Sequence, residues 1–411
     1  MIVTRGVDIR LYPNKGQSNF INKMIGATRV VYNASLYRRQ KYYEEHKASL
    51  KMKPTDLYDE FPWMSELDSQ GLCNAFQDLN KAYTNWFNSL KKNAKQTSKA
   101  PRYKKKTHSG SYRNAMCQKE VSKLLQNGKI YLPKLKLVSY KAHVDLDKIT
   151  KIHHVTVKKT NTKYFCSICC DYEIDEPEHT GECVGLDLGI KDLIVTSNGE
   201  KFDNKKFLKN SEKQIKHLQR LYSKKTKGSK NQEKARLRLA IAHEKLSNKR
   251  KDYLHKLTTK LVKENTIICI ENLNVKGMLK NHKLAKSITD CSFSTIRRML
   301  DYKCRWYNRK LVVINRWYPS SQTCNCCGYK YNSDHYNNTS WNPSIRNWIC
   351  RNCNSHLDRD INAAINIKNE GLRILDGTGT ALIEACGEDS SDLSDLRSSM
   401  KQENHTSLTC D

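Results

Sequence analysis

The sequence predicts a multidomain α/β protein, and three observations carry that prediction. Two short apolar runs, at 183–190 and 266–273, each hold one acid and have the length of buried strands. Between and around them lie long stretches with apolar residues every three or four positions, the period of a helix packed on one face. Two Cys-x2-Cys pairs near the end of the patterned region add a small cysteine-bound unit.

Taken in order, residues 1–12 alternate as a strand that Pro13-Asn14 terminates. Gln17 to about His46 has helical spacing, and Phe76, Leu79, Tyr83, Trp86 and Leu90 mark a second amphipathic helix. A polar basic stretch follows, ending in PRYKKK at 101–106. Residues 128–175 then change to strand-like runs able to pair with the N-terminal strand. Residues 183–202 read as a β-hairpin and 204–264 as two antiparallel helices parted at Gly228-Ser229. TIICIENL at 266–273 is a strand, 294–310 a helix, LVVINRWYP a returning strand, and about 360–373 a final helix. From 384 to 411 seven acids face two bases in a Gly/Ser-rich tail expected to be disordered.

The chain of 411 residues carries 73 Lys and Arg against 42 Asp and Glu, a net charge of +31. Such an excess repels itself in a compact fold and points to a polyanionic partner. The segment 201–264 concentrates it, with 21 basic and 6 acidic residues, and contact with a nucleic-acid backbone accounts for a one-signed run of this length. No apolar run reaches 18 residues, and the start MIVTRGVDIRLYP reads as a strand rather than an export signal. A cytoplasmic protein without a membrane partner is expected. Its cysteines are then reduced, and the single ones (Cys73, Cys117, Cys269, Cys291, Cys304) read as core filler. Cys166, Cys169 and Cys170 lie in a strand with no second pair at useful spacing, so they too read as packing.

An ionised Asp in a buried strand costs several kcal/mol without compensation, on the order of magnitude known for buried charges, which makes Asp187 the residue to explain. Glu271 ends a second apolar strand in the same way. Asp358 and Asp360 stand at the start of a helix rich in small residues, where either could simply cap free N–H groups. Brought to one sheet edge, Asp187, Glu271 and Asp360 would repel and take up protons. Two Mg²⁺ ions about 4 Å apart would keep them ionised and position water against a phosphodiester. The order of hairpin, helical insertion, strand, helix, strand, helix is that of an RNase H-like sheet.

Cys324, Cys327, Cys350 and Cys353 form two pairs separated by 22 residues, a closed structural zinc site with no open position for catalysis. Cys326 could replace Cys327, and His335 and His356 are further alternatives.

With these residues together the chain resembles TnpB, the transposon-encoded RNA-guided DNA endonucleases related to compact type V CRISPR effectors. RLYPNKGQSNFINKMIGATRVVYN, PRYKKK, VGLDLGIKDLIV, IENL, RWYPSSQTCNCCG, ICRNC and LDRDINAAINI carry the likeness along nearly the whole chain. Asn354 after Cys353 and Leu357 before the DRD motif depart from the pattern at the edge of the cysteine unit and leave the acids intact. The resemblance implies a RuvC-type nuclease domain over 180–316 and 358–376, with the basic insertion 204–264 and a zinc-ribbon insertion over 317–357. It also implies a helical recognition domain over 13–114, a β-barrel-like wedge domain over 1–12 and 115–178, and an acidic tail over 377–411. Asp187 would bridge two Mg²⁺ ions, with Glu271 and Asp360 each holding one, and the four cysteines would hold one Zn²⁺. The implied partners are a guide RNA from the transposon end and double-stranded DNA bearing a short flanking motif, engaged by a monomer. Candidate nucleic-acid contacts are Arg102, Lys104, Lys105, Lys106, Lys224, Lys225, Arg236, Lys249 and Arg250. Tyr37, Arg38, Arg39, Tyr42 and Tyr43 could face nucleic acid or pack. The rival readings are a transposase that joins strands and a repressor that binds without cutting.

Overall fold

A computed structural model describes residues 1–91, 98–106, 109–115, 121–175, 181–331 and 345–377. The acidic tail beyond Gly377, Cys117 and His335 lie outside these residues. Among them no helix is long and apolar enough to cross a membrane. The chain divides into two units, Met1–Asp175 and Glu176–Asp411.

The first unit runs β1 (Ile2–Tyr12), α1 (Lys15–His46), two 3₁₀ turns (Pro54–Leu57 and Pro62–Glu66), α2 (Ser69–Leu90), β2 (Gly110–Ala115) and α3 (Val121–Leu124). It continues with β3 (Leu125–Gln126), β4 (Lys129–Leu132), β5 (Lys136–Lys141), β6 (Ile149–Thr160) and β7 (Lys163–Glu173). The strands form one sheet in the order β2-β6-β7-β1-β5-β4-β3, every ladder antiparallel. Alternation in β1 buries Val7, Ile9 and Leu11, and register sets Val7 opposite Ile168 and Ile9 opposite Cys166. Cys166 and Cys170 are therefore core residues of a strand, as their spacing predicted. The barrel-like closure expected of this segment is not seen: among the described residues no ladder joins β2 to β3, and the sheet is open. A two-residue β3 offers too few backbone groups to close a ring. α1 begins at a capping box in which Asn14 Oδ1 accepts from Gln17 N (2.8 Å) and Gln17 Oε1 from Asn14 N (3.1 Å). Tyr32 and Leu36 of α1 pack on Leu79 of α2.

The second unit contains β8 (Cys183–Asp187), β9 (Asp192–Thr196), β10 (Lys201–Asp203), α4 (Phe207–Ser223), α5 (Lys230–Glu264) and β11 (Ile267–Glu271). α6 (Val275–Met278), α7 (Ala285–Cys291), α8 (Phe293–Trp306), β12 (Lys310–Ile314), β13 (Asn347–Ile349), β14 (His356–Asp358) and α9 (Arg359–Gly377) follow. Its main sheet has the order β10-β9-β8-β11-β12, with β8 to β10 an antiparallel meander and β8, β11 and β12 parallel. The hairpin over 183–202 thus gains a third strand, too short to show alternation in sequence. Val184, Leu186, Ile268 and Ile270 face Leu254, Leu257 and Leu261 of α5 and Ile296 and Leu300 of α8. On the other face Cys269, Val312 and Ile314 pack on Ile367 of α9.

Two glycines let α9 lie directly on that face. A Cβ on Gly185 of β8 would sit 2.0 Å from the Ala364 carbonyl oxygen, and one on Gly371 would sit 2.3 Å from Cys269 Sγ. With Ala363 and Ala364 opposite them, backbone meets backbone, and the first turn of α9 is brought to the sheet edge.

Candidate active site and metal centre

Register builds the first two acids into one place. Ile270 of β11 pairs with Leu186 of β8 in parallel, so Glu271 and Asp187 stand side by side at the carboxyl ends of neighbouring strands. In open α/β sheets that is where ligands bind. The third acid comes with α9, and the structure separates the two candidates at its start. Asp358 Oδ1 accepts from the N–H groups of Asp360 (3.0 Å) and Ile361 (3.2 Å), and Asp358 Oδ2 from Lys201 Nζ (2.6 Å). Asp358 is the cap, and Asp360 is left to face Asp187.

Burial, followed by the charges of Glu271 and Asp360, pushes the Asp187 carboxyl up to about 7, with Arg359 and Arg346 opposing. Burial also raises Glu271, against a 2.5 Å hydrogen bond from the Ser320 hydroxyl. Asp360 accepts from Arg359 Nε (2.9 Å) and Nη2 (2.5 Å) at one oxygen and from Arg346 Nη1 (2.6 Å) at the other. The donor set is all hard oxygen, carries like charges in one another's field, and draws in two guanidinium groups. This is the chemistry that divalent Mg²⁺-type cations satisfy. The acids remain spread: among the described residues only the four cysteines bring ligand atoms within 4.8 Å of one another.

Those cysteines are Cys324, Cys327, Cys350 and Cys353. Cys324 Sγ lies 3.7 Å from Cys353 Sγ, and Cys327 Sγ 3.5 Å from Cys350 Sγ. Disulfides are far shorter, whereas four sulfurs at about 2.3 Å from a tetrahedral metal are separated by about 3.8 Å. The N–H groups of Cys326 and Cys327 point at the Cys324 sulfur, and those of Asn352 and Cys353 at the Cys350 sulfur. The Ser355 hydroxyl and N–H draw the Cys353 thiol down to about 6. The set fits a structural zinc ion, with Cys327 rather than Cys326 as the ligand and without His356.

The basic candidates divide by what already holds them. Arg102, Lys105, Lys106, Lys224, Lys225 and Lys249 are exposed. Lys104 has its backbone pinned to the Asn33 amide (2.8 and 3.0 Å) and its ammonium 4.0 Å from the Tyr32 ring centre. Lys224 continues a stripe with Lys216 and Arg220 at four-residue spacing along α4. Arg236 forms a bidentate pair with Glu233 (2.8 and 2.7 Å). Arg250 has an internal partner: its Nη2 meets buried Asp290 at 2.7 Å, and Asp290 also accepts from Leu208 N (2.9 and 3.1 Å) at the start of α4. In α1, Arg38 binds Glu60 (2.8 Å) and Arg39 lies over Phe76 and Tyr83, so both pack, while Tyr37 and Tyr43 stay exposed.

The sequence reading missed Arg346 and Arg359, whose partner is known only once Asp360 is placed. It also missed Ser320 and the two amides Asn362 and Asn366, although their four-residue spacing on α9 was readable.

The chain matches the OrfB_IS605 family, described as "Probable transposase", over residues 167–282. It also matches "Cas12f1-like, TNB domain" over 293–367 and "Helix-turn-helix domain" over 1–48, a region that here forms β1 and the single helix α1. A relative from Streptomyces pristinaespiralis named "Putative RNA-guided DNA endonuclease" is 35% identical, with 90% of each chain covered. The InsQ protein of Escherichia coli (strain K12), described in the same words, is 28% identical over 92% of this chain and 93% of its own. A solved chain from a Cas12f1–sgRNA–target DNA complex aligns with a TM-score of 0.49 and 13% identity, covering 90% of this chain and 99% of that one. The chain belongs to the TnpB family of transposon-encoded OrfB proteins.

Proposed function

We propose that the chain is an RNA-guided endonuclease that cuts double-stranded DNA with one RuvC-type site. The observation that carries the reading is that Asp187 and Glu271 end neighbouring parallel strands and Asp187 feels the charges of both Glu271 and Asp360, while Asp358 takes the capping role in place of Asp360. The names of its relatives and the net charge of +31 support the same reading.

Asp187, Glu271 and Asp360 would hold Mg²⁺, which when bound supplies Lewis acidity at the phosphate and a water of lowered pKa. All three carboxylates would act as its ligands. Arg346 and Arg359 place positive charge at the same edge, where the phosphate brings its own negative charge. The hydroxyl of Ser320 fixes one oxygen of Glu271. Guide pairing would choose the target, and the protein would read backbone shape and a flanking motif. The exposed bases at 102–106 and along α4 and α5 would hold phosphates. The cysteine knot would hold one structural Zn²⁺.

The test is plasmid cleavage by protein co-expressed with the DNA flanking its gene, against a target beside a randomised motif. Guide-dependent linearisation that requires Mg²⁺ is expected. Joined transposon ends would turn the reading toward a strand-transferring transposase.

A further inference from the structure

We propose that Ser320 is the positioning residue of Glu271, and that Asn362 and Asn366 hold Ser320 in place, so that one clamp sets both the cysteine knot and the carboxylate site. The proposal rests on the nuclease reading above.

Glu271 ends a strand, and its side chain has three rotatable bonds. Left alone it would sample several staggered conformers. Ser320 donates to Glu271 Oε1 at 2.5 Å and is only 4% exposed. Yet Ser320 belongs to no helix or strand; it lies in the connection between β12 and Cys324. Something else must fix it. Asn366 Nδ2 donates to the carbonyls of Ser320 (2.8 Å) and Thr323 (2.6 Å). Asn362 Nδ2 donates to the Thr323 carbonyl (2.8 Å), and Asn362 Oδ1 accepts from Asn325 N (2.9 Å).

Both amides are buried, at 1% and 4% exposure. Burying an amide is favourable only where its hydrogen bonds are made, and here each bond goes to the strap 320–325. The strap contains Cys324, a ligand of the knot. Asn362 and Asn366 lie one turn apart on the helix whose first turn holds Asp360. One helix therefore places two of the three acids: Asp360 directly, and Glu271 through the strap and the Ser320 hydroxyl. Stitching the strap to α9 would need only its backbone. A hydroxyl directed at a carboxylate that would ligate metal is the added feature, and partners of this kind orient ligands.

The experiment uses the full chain with its guide, in wild-type, Ser320→Ala and Ser320→Thr forms, with Mn²⁺ as the probe ion. Mn²⁺ affinity is read by electron paramagnetic resonance, zinc content by elemental analysis, and cleavage by single-turnover rate. Ser320→Ala is expected to keep its zinc and its melting temperature while losing roughly 10–100-fold in Mn²⁺ affinity and cleavage rate. Ser320→Thr, which keeps the hydroxyl, is expected to restore most of both. Wild-type affinity and rate in Ser320→Ala would overturn the proposal, as would loss of zinc and of melting temperature unrescued by Thr. A wild-type chain that neither binds Mn²⁺ nor cuts would overturn the nuclease reading itself.

Discussion

Replacing Gly185 by alanine tests how the active-site edge is assembled. The added Cβ would lie 2.0 Å from Ala364 O, 2.7 Å from Lys368 N and 2.9 Å from Lys368 Cβ. Two of these atoms are helix backbone and cannot turn aside as a side chain would. Moving the Ala364 carbonyl from 2.0 Å to the 3.4 Å of ordinary contact means a retreat of about 1.4 Å by α9 or β8. Overpacking of this kind costs about 1–3 kcal/mol. Because Asp360 lies in the first turn of α9 and Asp187 ends β8, the same retreat separates the acids, and a 1 Å misplacement at a reacting centre costs about 10²-fold in rate. The assay pairs thermal melting with guided plasmid cleavage. A lower melting temperature with a rate loss larger than the unfolded fraction explains is expected. A Gly185→Ala protein with the wild-type melting temperature and rate would refute the close approach of α9 to β8.

Three further outcomes follow from the site. The unfolded chain releases the Asp187 proton near the ordinary carboxylate range, whereas the folded, metal-free chain holds it to about 7. Between those values the folded state binds more protons, so the contribution of Asp187 to stability falls as pH rises, by a few kcal/mol at most. In chelator, Asp187→Asn should therefore melt above wild type at pH 8, with the gap closing as pH falls toward 4; a pH-independent gap would refute the shift. Elemental analysis should find one zinc per chain and none in Cys327→Ser, while Cys326→Ser keeps it. Removing Lys224 and Lys225 together should lower the slope of log affinity for nucleic acid against log salt by about 2. Arg250→Ala should instead lower the melting temperature, because it leaves Asp290 buried without its ion partner.

The sheet was legible because its strands are short apolar runs, and an acid at the end of such a run is conspicuous. Asp187 and Glu271 were found in that way. The sequence singled out Asp360 but left the capping role open to it and to Asp358, since an Asp at either position can cap; the hydrogen bonds from Asp360 N and Ile361 N assign the cap to Asp358. Likewise Cys326 and Cys327 differ in sequence only by spacing, and the sulfur positions choose between them. Arg250 looked like its exposed neighbours because its partner Asp290 is 40 residues away. Closure of the N-terminal sheet was not legible either, since alternation identifies strands but says nothing about whether the two edge strands meet. Ser320 carried no signal at all, because a single serine acquires its role from a neighbour fixed by the fold.

The measurement that tests the central claim most directly compares wild-type and Asp187→Ala chains, each loaded with guide RNA, on a matched plasmid in Mg²⁺. Binding and cutting are scored separately. The account predicts equal target binding by both chains and cutting by the wild type alone. Cutting by Asp187→Ala at the wild-type rate would contradict the three-carboxylate site, and binding without cutting by both would make the chain a guided DNA-binding protein.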